Sequence, residues 1–294
     1  MKPDPASGKQ GITAFFSPTE SNRLNKRVVR FTITSSGIGP LRKLIESHYP
    51  DLAIVRFPSH KVDLVNELYR SFPEVVFGDC LVEYMIDLEQ VSAPKNQDDF
   101  DLGVLEAEEM HFEALDHIVM YSFSNYKNHY SRNPRLKGFD LIPAYQEWVR
   151  ASVTSLDKTC LLFFYDDILC GFFSAEKAGT VYRGLLSGVI PAYRRSGVFR
   201  GIIRSVKSIF HKNGATKIVT NVLLENRPVH KVLLGEGFVI SNSFLTMHLN
   251  LRTSHTLPPS RRWGKTFRSM TSTPRRPRLR SRHADLPVGN TKTD

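Results

Sequence analysis

The run from Ser187 to Val198 reads Ser-Gly-Val-Ile-Pro-Ala-Tyr-Arg-Arg-Ser-Gly-Val, with a strand-like series before it and an amphipathic series after it. A strand feeding a glycine-containing turn and then a helix leaves several backbone N–H groups unpaired and aimed at one point. The helix dipole favours an anion there. Arg194 and Arg195 add charge-assisted donors beside Ser196, and Gly197 admits a phosphate where a Cβ would collide. Ser187, Gly188, Val189 and Val198 frame the turn on either side. Such a turn can cradle a phosphate; the plain alternative is a strand-helix connection with two solvated arginines.

Other residue types with chemistry to offer lie apart from that turn. His129, in Asn128-His129-Tyr130, has the side chain whose ordinary pKa near ~6.5 suits a general base at neutral pH. A surface or capping histidine is the competing reading. His248 follows Thr246-Met247 on the last strand-like segment, where a buried, satisfied imidazole is the common outcome, and His230 falls on a helix face. Tyr126, Tyr130 and Trp148 can stack on a ring or pack in a core. Cys80, Cys160 and Cys170 are far apart and sit in apolar runs, so they read as buried thiols, and no metal site is expected.

The elements that would position these residues follow from periodicity. Residues 1–27 read as a flexible leader. Residues 28–90 read as a small α/β module: strands over 28–34, 52–57 and 79–86, with helices over 40–49 and 59–72 between them. The polar, proline-containing segment 91–99 reads as a linker. Residues 100–251 read as a second α/β unit with a short strand near 102–105, helices around 107–121 and 142–152, and a hairpin turning at Asp166-Asp167. A strand over 179–190 leads into the turn. Phe199, Ile202, Ile203, Val206, Ile209 and Phe210 then mark the apolar stripe of a helix. A strand over 217–223, a helix capped at Asn226 and one or two strands over 238–251 close the unit.

The net charge of +11 is unevenly placed. Residues 252–294 hold eleven Lys or Arg against Asp285 and Asp294, so +9 of it falls there. That stretch is rich in Pro, Ser and Thr without apolar periodicity, and reads as a disordered basic tail, either solubilising or able to hold an anionic partner. The N-terminus lacks a signal-peptide profile, and no window approaches the ~18 apolar residues of a membrane span. A cytoplasmic protein is expected.

In residues 100–250 the order of elements and the turn resemble the GNAT superfamily, whose acyl-CoA motif is V-x-P-x-x-R/Q-x-x-G-x-G/A. Val189, Pro191, Arg194 and Gly197 match it, with Phe199 in place of the final small residue. Asn226, Val229 and Gly237-Phe238 keep the spacing of the family's N-x-x-A-x-x-x-Y-x-x-x-G-F pattern. The resemblance implies a GNAT fold preceded by a smaller, truncated GNAT-like module, acetyl-CoA as co-substrate, and cofactor contacts along 187–189, 194–198 and Asn226. Segment 123–134, Ala144 to Trp148 and Phe15-Phe16, with Ser17 where glycine is usual, resemble two-domain bacterial acetyltransferases of nucleotide-linked amino sugars. On that basis a nucleotide-linked amino sugar is the expected acceptor, Tyr126 and Tyr130 its contacts, and His129 or His248 the base. A homodimer is open to it.

The tyrosine that many members use as general acid falls at Leu233. Tyr193 or Tyr182 could stand in as donor, or the thiolate, from a thiol of pKa near ~8.5, could leave unprotonated. A protein-lysine acetyltransferase and a non-catalytic GNAT module acting through the tail are the other classes. Lys9 to Phe16 also resembles a sliding-clamp docking peptide, with Lys9 where glutamine is usual.

Overall fold

A computed structural model describes residues 11–35, 37–90 and 102–251, which belong to one compact unit. The expected linker 91–99 and basic tail 252–294 lie outside the described residues, as does the start of the leader.

The rest of that leader is ordered secondary structure. Strand β1 (Ile12–Phe16) pairs antiparallel with β2 (Val28–Ile33), because Ile12 and Ala14 alternate into the core. Helix α1 (Pro18–Leu24) follows with proline in its first turn, where the missing N–H costs nothing. Ile12, which would have to be exposed to plug a clamp pocket, is 1% accessible. The series continues through α2 (Ile38–His48), β3 (Leu52–Pro58), α3 (Asp63–Ser71) and β4 (Val75–Asp87).

Beyond the linker come β5 (Gly103–Glu106), α4 (Phe112–Phe123), α5 (Ile142–Thr154), β6 (Lys158–Tyr165), β7 (Ile168–Ala178) and β8 (Val181–Val189). Asp166 and Asp167 both take positive φ, as a two-residue hairpin turn requires. Helix α6 (Val198–Lys212), β9 (Lys217–Leu223), α7 (Arg227–Gly235) and a single long strand β10 (Val239–Asn250) complete the chain.

All ten strands form one sheet in the order β1-β2-β3-β10-β4-β9-β8-β7-β6-β5. The succession β1-β2-α2-β3-α3-β4 recurs as β7-β8-α6-β9-α7-β10. Each copy has an antiparallel pair, then a parallel pair bridged by a helix. The final strands are exchanged: β4 lies between β9 and β10, and β10 lies between β3 and β4. Residues 28–90 and 100–251 therefore share a hydrogen-bonded sheet rather than meeting at a surface.

Alternation along the strands sets the layers. Leu245, Met247 and Leu249 of β10 join Ala53, Val55 and Phe57 of β3 in a core under α2 and α3. The opposite face of β10 carries Thr246, His248 and Asn250, all buried. Residues 126–139 cover that polar face. Further along the sheet, α6 and α7 pack on one side and α4 and α5 on the other, each over its own apolar cluster. Among the described residues no helix is long and apolar enough to cross a membrane.

Candidate functional site

Strand β8 runs beside β9 only from Val181 opposite Lys217 to Gly184 opposite Thr220, although both strands continue. Its other neighbour, β7, shows why. Ser174 faces Leu186 and Ala175 faces Gly184, so Leu185 is an extra residue on β8. A bulge of this kind bends its strand and re-aims backbone groups. From Leu185 to Val189 the edge of β8 that would have met β9 opens into a cleft. Gly188 lies against α4, where a Cβ would come 2.6 Å from Ser122 Oγ. Among the described residues that hydroxyl is buried without a partner.

At the end of β8 the chain turns sharply into α6. Arg195 (φ 66) and Gly197 (φ 103) take left-handed backbone on either side of Ser196. With Ser196 between them outside the left-handed region, this alternation can turn successive N–H groups inward into a nest suited to an anion. The first helical bond is from Arg200 N–H to Gly197 O at 2.8 Å, and Val198 N–H is taken by Ser196 Oγ at 3.3 Å. Among the described residues, the amides of Ser196, Gly197 and Phe199 donate to no backbone carbonyl. They stand at the positive end of α6, an anion site by geometry. Arg195 is exposed beside them. Arg194 is exposed too, but its guanidinium turns back to Ser122 O at 2.9 Å and Val189 O at 3.4 Å, stitching α4 to β8. Asn226 sits at the N-cap of α7 on the other arm of the cleft, with no side-chain cap bond.

The open strands lead into a cavity of about 650 Å³. Gly184, Leu185 and Leu186 form one edge, Asn221 and Leu223 of β9 the next, and Tyr126, Tyr130, Tyr145 and Trp148 an aromatic wall. The N-terminal half closes the far side with Glu20, Arg30, Arg56 and Asp79. Burial pushes the Tyr145 hydroxyl up to about 12 and raises that of Tyr126 as well, so both are neutral hydrogen-bonding groups. Arg30 holds Glu20 and donates to Tyr130 Oη at 2.9 Å. This places the Tyr130 ring at the cavity wall.

His129 lines this cavity, but its Nδ1 is 2.7 Å from His248 Nε2. Protons along this chain are fixed from its far end. Asn133 Oδ1 accepts the Arg135 N–H, so Asn133 Nδ2 is the donor to His248 Nδ1 at 3.0 Å. His248 therefore carries its proton on Nε2 and donates to His129 Nδ1, leaving the His129 proton on Nε2. A second proton on either ring would set two N–H groups head to head. Burial, joined for His129 by its neighbour's charge, lowers both: His248 to about 4, and His129 well below the usual histidine range. Accordingly, His129 can donate a hydrogen bond to a bound molecule but has no free basic nitrogen. His248 does not line the cavity, so the expectation of a base at either histidine is corrected to a donor and its support.

The remaining expected residues divide likewise. Tyr193 packs edge-on against Tyr165, centroids 5.9 Å apart, over the α6 core and away from the cavity. Tyr182 stacks on Phe210 at 4.3 Å in the same core. Neither is placed as a proton donor at the cavity. Leu233 is 1% accessible within that core, so the position of the family tyrosine is a packing position here. His230 is structural: Nε2 faces Leu223 O at 3.0 Å and Nδ1 faces the Tyr84 hydroxyl at 2.8 Å. Cys160 and Cys170 are buried, with thiols pushed up to about 12 and about 11, hence unreactive. Among the described residues no metal-binding cluster occurs.

Asp79 and Arg56 escaped the reading of the sequence. Thr246 of β10 stands opposite Arg56 on β3 and opposite Asp79 on β4, so the three side chains form a row on the polar face. Arg56 Nε donates to Thr246 Oγ1 at 3.1 Å, and the threonine hydroxyl bonds Asp79. Burial pushes the Asp79 carboxyl above the usual range despite Thr246 and Arg56, and also lowers Arg56. Both shifts run toward neutrality, the mark of charges held away from water. The available signal was Thr-Met-His-Leu-Asn over 246–250, a strand with polar residues at alternate positions too near a core to be solvated.

A cleft between two parallel strands, opened by a bulge and closed at one end by an amide nest, is the defining geometry of the GNAT fold, and the mixed α/β sheet here is that fold. Solved structures share it. A functionally unknown conserved protein from Staphylococcus epidermidis superposes with TM-score 0.59 at 11% identity, covering 83% of this chain and 92% of its own. A GCN5-related N-acetyltransferase from Sphaerobacter thermophilus gives 0.57 at 12%, covering 81% and 76%. Another from Kribbella flavida gives 0.54 at 11%, covering 83% and 88%. Residues 100–251 alone could not supply such coverage, so the likeness extends into the exchanged N-terminal half. At these identities it is a likeness of fold. No family model and no curated protein matches the sequence.

Proposed function

We propose that the protein is an acyl-CoA-dependent N-acyltransferase with acetyl-CoA as donor. The observation that carries this reading is the divergence of β8 from β9 after Gly184, opening toward the unpaired amides of Ser196, Gly197 and Phe199. The residues present fit a coenzyme: a diphosphate suits the nest and Arg195, while Gly188, where a Cβ would collide with Ser122 and Phe172, lets the opened stretch of β8 pack closely on α4. Acyl-CoA supplies an electrophilic thioester carbonyl and a sulfur leaving group. Backbone N–H groups of Leu185 to Val189 would stabilise developing charge on the carbonyl oxygen, and Asn226 would flank the coenzyme arm.

The acceptor side of this reading is the aromatic-walled cavity. Tyr126, Tyr130 and Trp148 suit a sugar or base ring, in keeping with an amine on a nucleotide-linked sugar. With Leu233 in the core and Tyr193 and Tyr182 packed elsewhere, no side chain named above protonates the sulfur. A thiolate leaves without that help.

Calorimetry with acetyl-CoA tests the proposal. Wild-type protein should bind it, and Arg195→Glu, which places an exposed carboxylate beside the nest, should weaken binding at least tenfold with an unchanged melting temperature. Failure of folded wild-type protein to bind any coenzyme A species would end the proposal. Coenzyme A release with amino-sugar nucleotides but not with lysine peptides would establish the acceptor.

A further inference from the structure

The charged groups around the cavity are mostly paired with each other. Arg23 holds Glu147, and Arg30 holds Glu20. Two are left. Arg56 spends its Nε on Thr246 and, among the described residues, bonds nothing through its two terminal nitrogens. Asp79, 2% accessible, accepts from Thr246 but leaves Oδ1 buried with no partner among the described residues. A buried carboxylate oxygen without a partner is costly, and a ligand donor that reached it would relieve that cost. Their position is fixed by sheet register. Both flank Thr246, one strand away on either side, and strands lie ~4.8 Å apart. Their backbones are therefore about 10 Å apart across Thr246, and both head groups meet its hydroxyl, which leaves the Arg56 terminal nitrogens and Asp79 Oδ1 for a ligand.

Asp79 also faces the cleft. Leu81, two residues along β4 and on the same face, pairs with Leu223 of β9. Had β8 stayed parallel to β9, Leu223 would have met Ser187. Asp79 thus lies at the open mouth where the strands part.

We propose that Asp79 and Arg56 form a two-point acceptor site, with Asp79 binding the acceptor's ammonium group and taking a proton from it, and Arg56 binding an anionic group next to that amine. The acceptor class is a primary amine bearing a nearby carboxylate or phosphate, which includes amino acids, amino-sugar phosphates and nucleotide-linked amino sugars. The binding part stands alone; the proton transfer rests on the acyl-transfer reading above. In that step one ammonium proton passes to the Asp79 carboxylate. The C–N bond forms as the C–S bond breaks, the second proton leaves nitrogen for the departing sulfur, and Asp79 returns its proton to water. The raised carboxyl of Asp79 suits a proton acceptor better than an ordinary carboxylate would.

The test is calorimetry on the full chain without acyl-CoA. Phenylalanine, glucosamine 6-phosphate and a UDP-linked amino sugar carry both groups; phenethylamine, glucosamine and glucose 6-phosphate carry one. At least one two-group probe should bind tenfold or more tighter than its one-group analogues. Arg56→Met should erase that preference, Arg56→Lys should retain part of it, and Asp79→Asn should weaken amine probes while sparing glucose 6-phosphate. In turnover, Asp79→Asn should remove the acidic limb of the kcat/KM profile. Equal affinity for one-group and two-group probes, no binding of any probe, or a preference surviving Arg56→Met would overturn the proposal. Acetyl-CoA binding, measured separately, reports on the acyl-transfer reading, so the two can fail independently.

Discussion

Replacing His248 with glutamine separates titration of the buried histidine pair from its packing. Glutamine can donate to His129 Nδ1 and accept from Asn133 Nδ2, so the hydrogen-bond chain survives while the titrating ring is lost. In the folded protein His248 is lowered to about 4, against roughly 6.5 in the unfolded chain. The unfolded state therefore binds the proton first. Stability from the neutral ring is fully present above the unfolded value and is lost as the pH falls toward the folded value. Linkage puts the loss at about 2.5 kcal/mol between roughly pH 7 and pH 4.5. Urea unfolding of both proteins across that range measures it. The variant should start somewhat less stable near neutrality, and its profile should be shallower by about that amount, carboxylates elsewhere cancelling in the comparison. Parallel profiles would show that His248 is not held neutral, and the proton assignment that makes His129 a donor would fall with it.

Further outcomes follow from the same geometry. Leu233→Ala should cost about 2–5 kcal/mol by chemical denaturation, whereas Leu233→Tyr should overpack the core rather than raise kcat. Gly188→Ala drives a methyl into Ser122 and the Phe172 ring, 2.6 and 2.8 Å away, and should lower stability by about 1–3 kcal/mol together with acetyl-CoA affinity. Adding Ser122→Gly should recover part of both in a double-variant cycle. Ending the chain after Leu251 should leave acetyl-CoA affinity and turnover unchanged, read by calorimetry and coenzyme A release.

Local signals in the sequence located most elements. The apolar stripe from Phe199 to Phe210, the Asp166-Asp167 turn and the strand at Lys217–Leu223 each depend on near neighbours, and each appears in the structure where periodicity and turn chemistry put it. Strand β1 was missed because five residues with two inward positions barely register as an alternation. The place of β10 carries no local signature at all: its partners, β3 and β4, are separated from it by most of the chain, and register is settled by which face is buried. That distance is also why Arg56 and Asp79 went unnoticed. Each looks ordinary in its own strand until Thr246 arrives between them. Arg194 shows the opposite limit, since a motif can name a residue type without telling whether its side chain reaches outward or back to Ser122.

The exchange of β4 and β10 has a consequence for biogenesis. Until β10 has been synthesised, the place between β3 and β4 has no strand to fill it. A nascent chain in that condition invites help from holdases, and two full-length chains at high concentration can satisfy each other by exchanging β10, giving an intertwined pair. Separate polypeptides cut between β4 and β5 should be insoluble alone yet recover a native spectrum when refolded together.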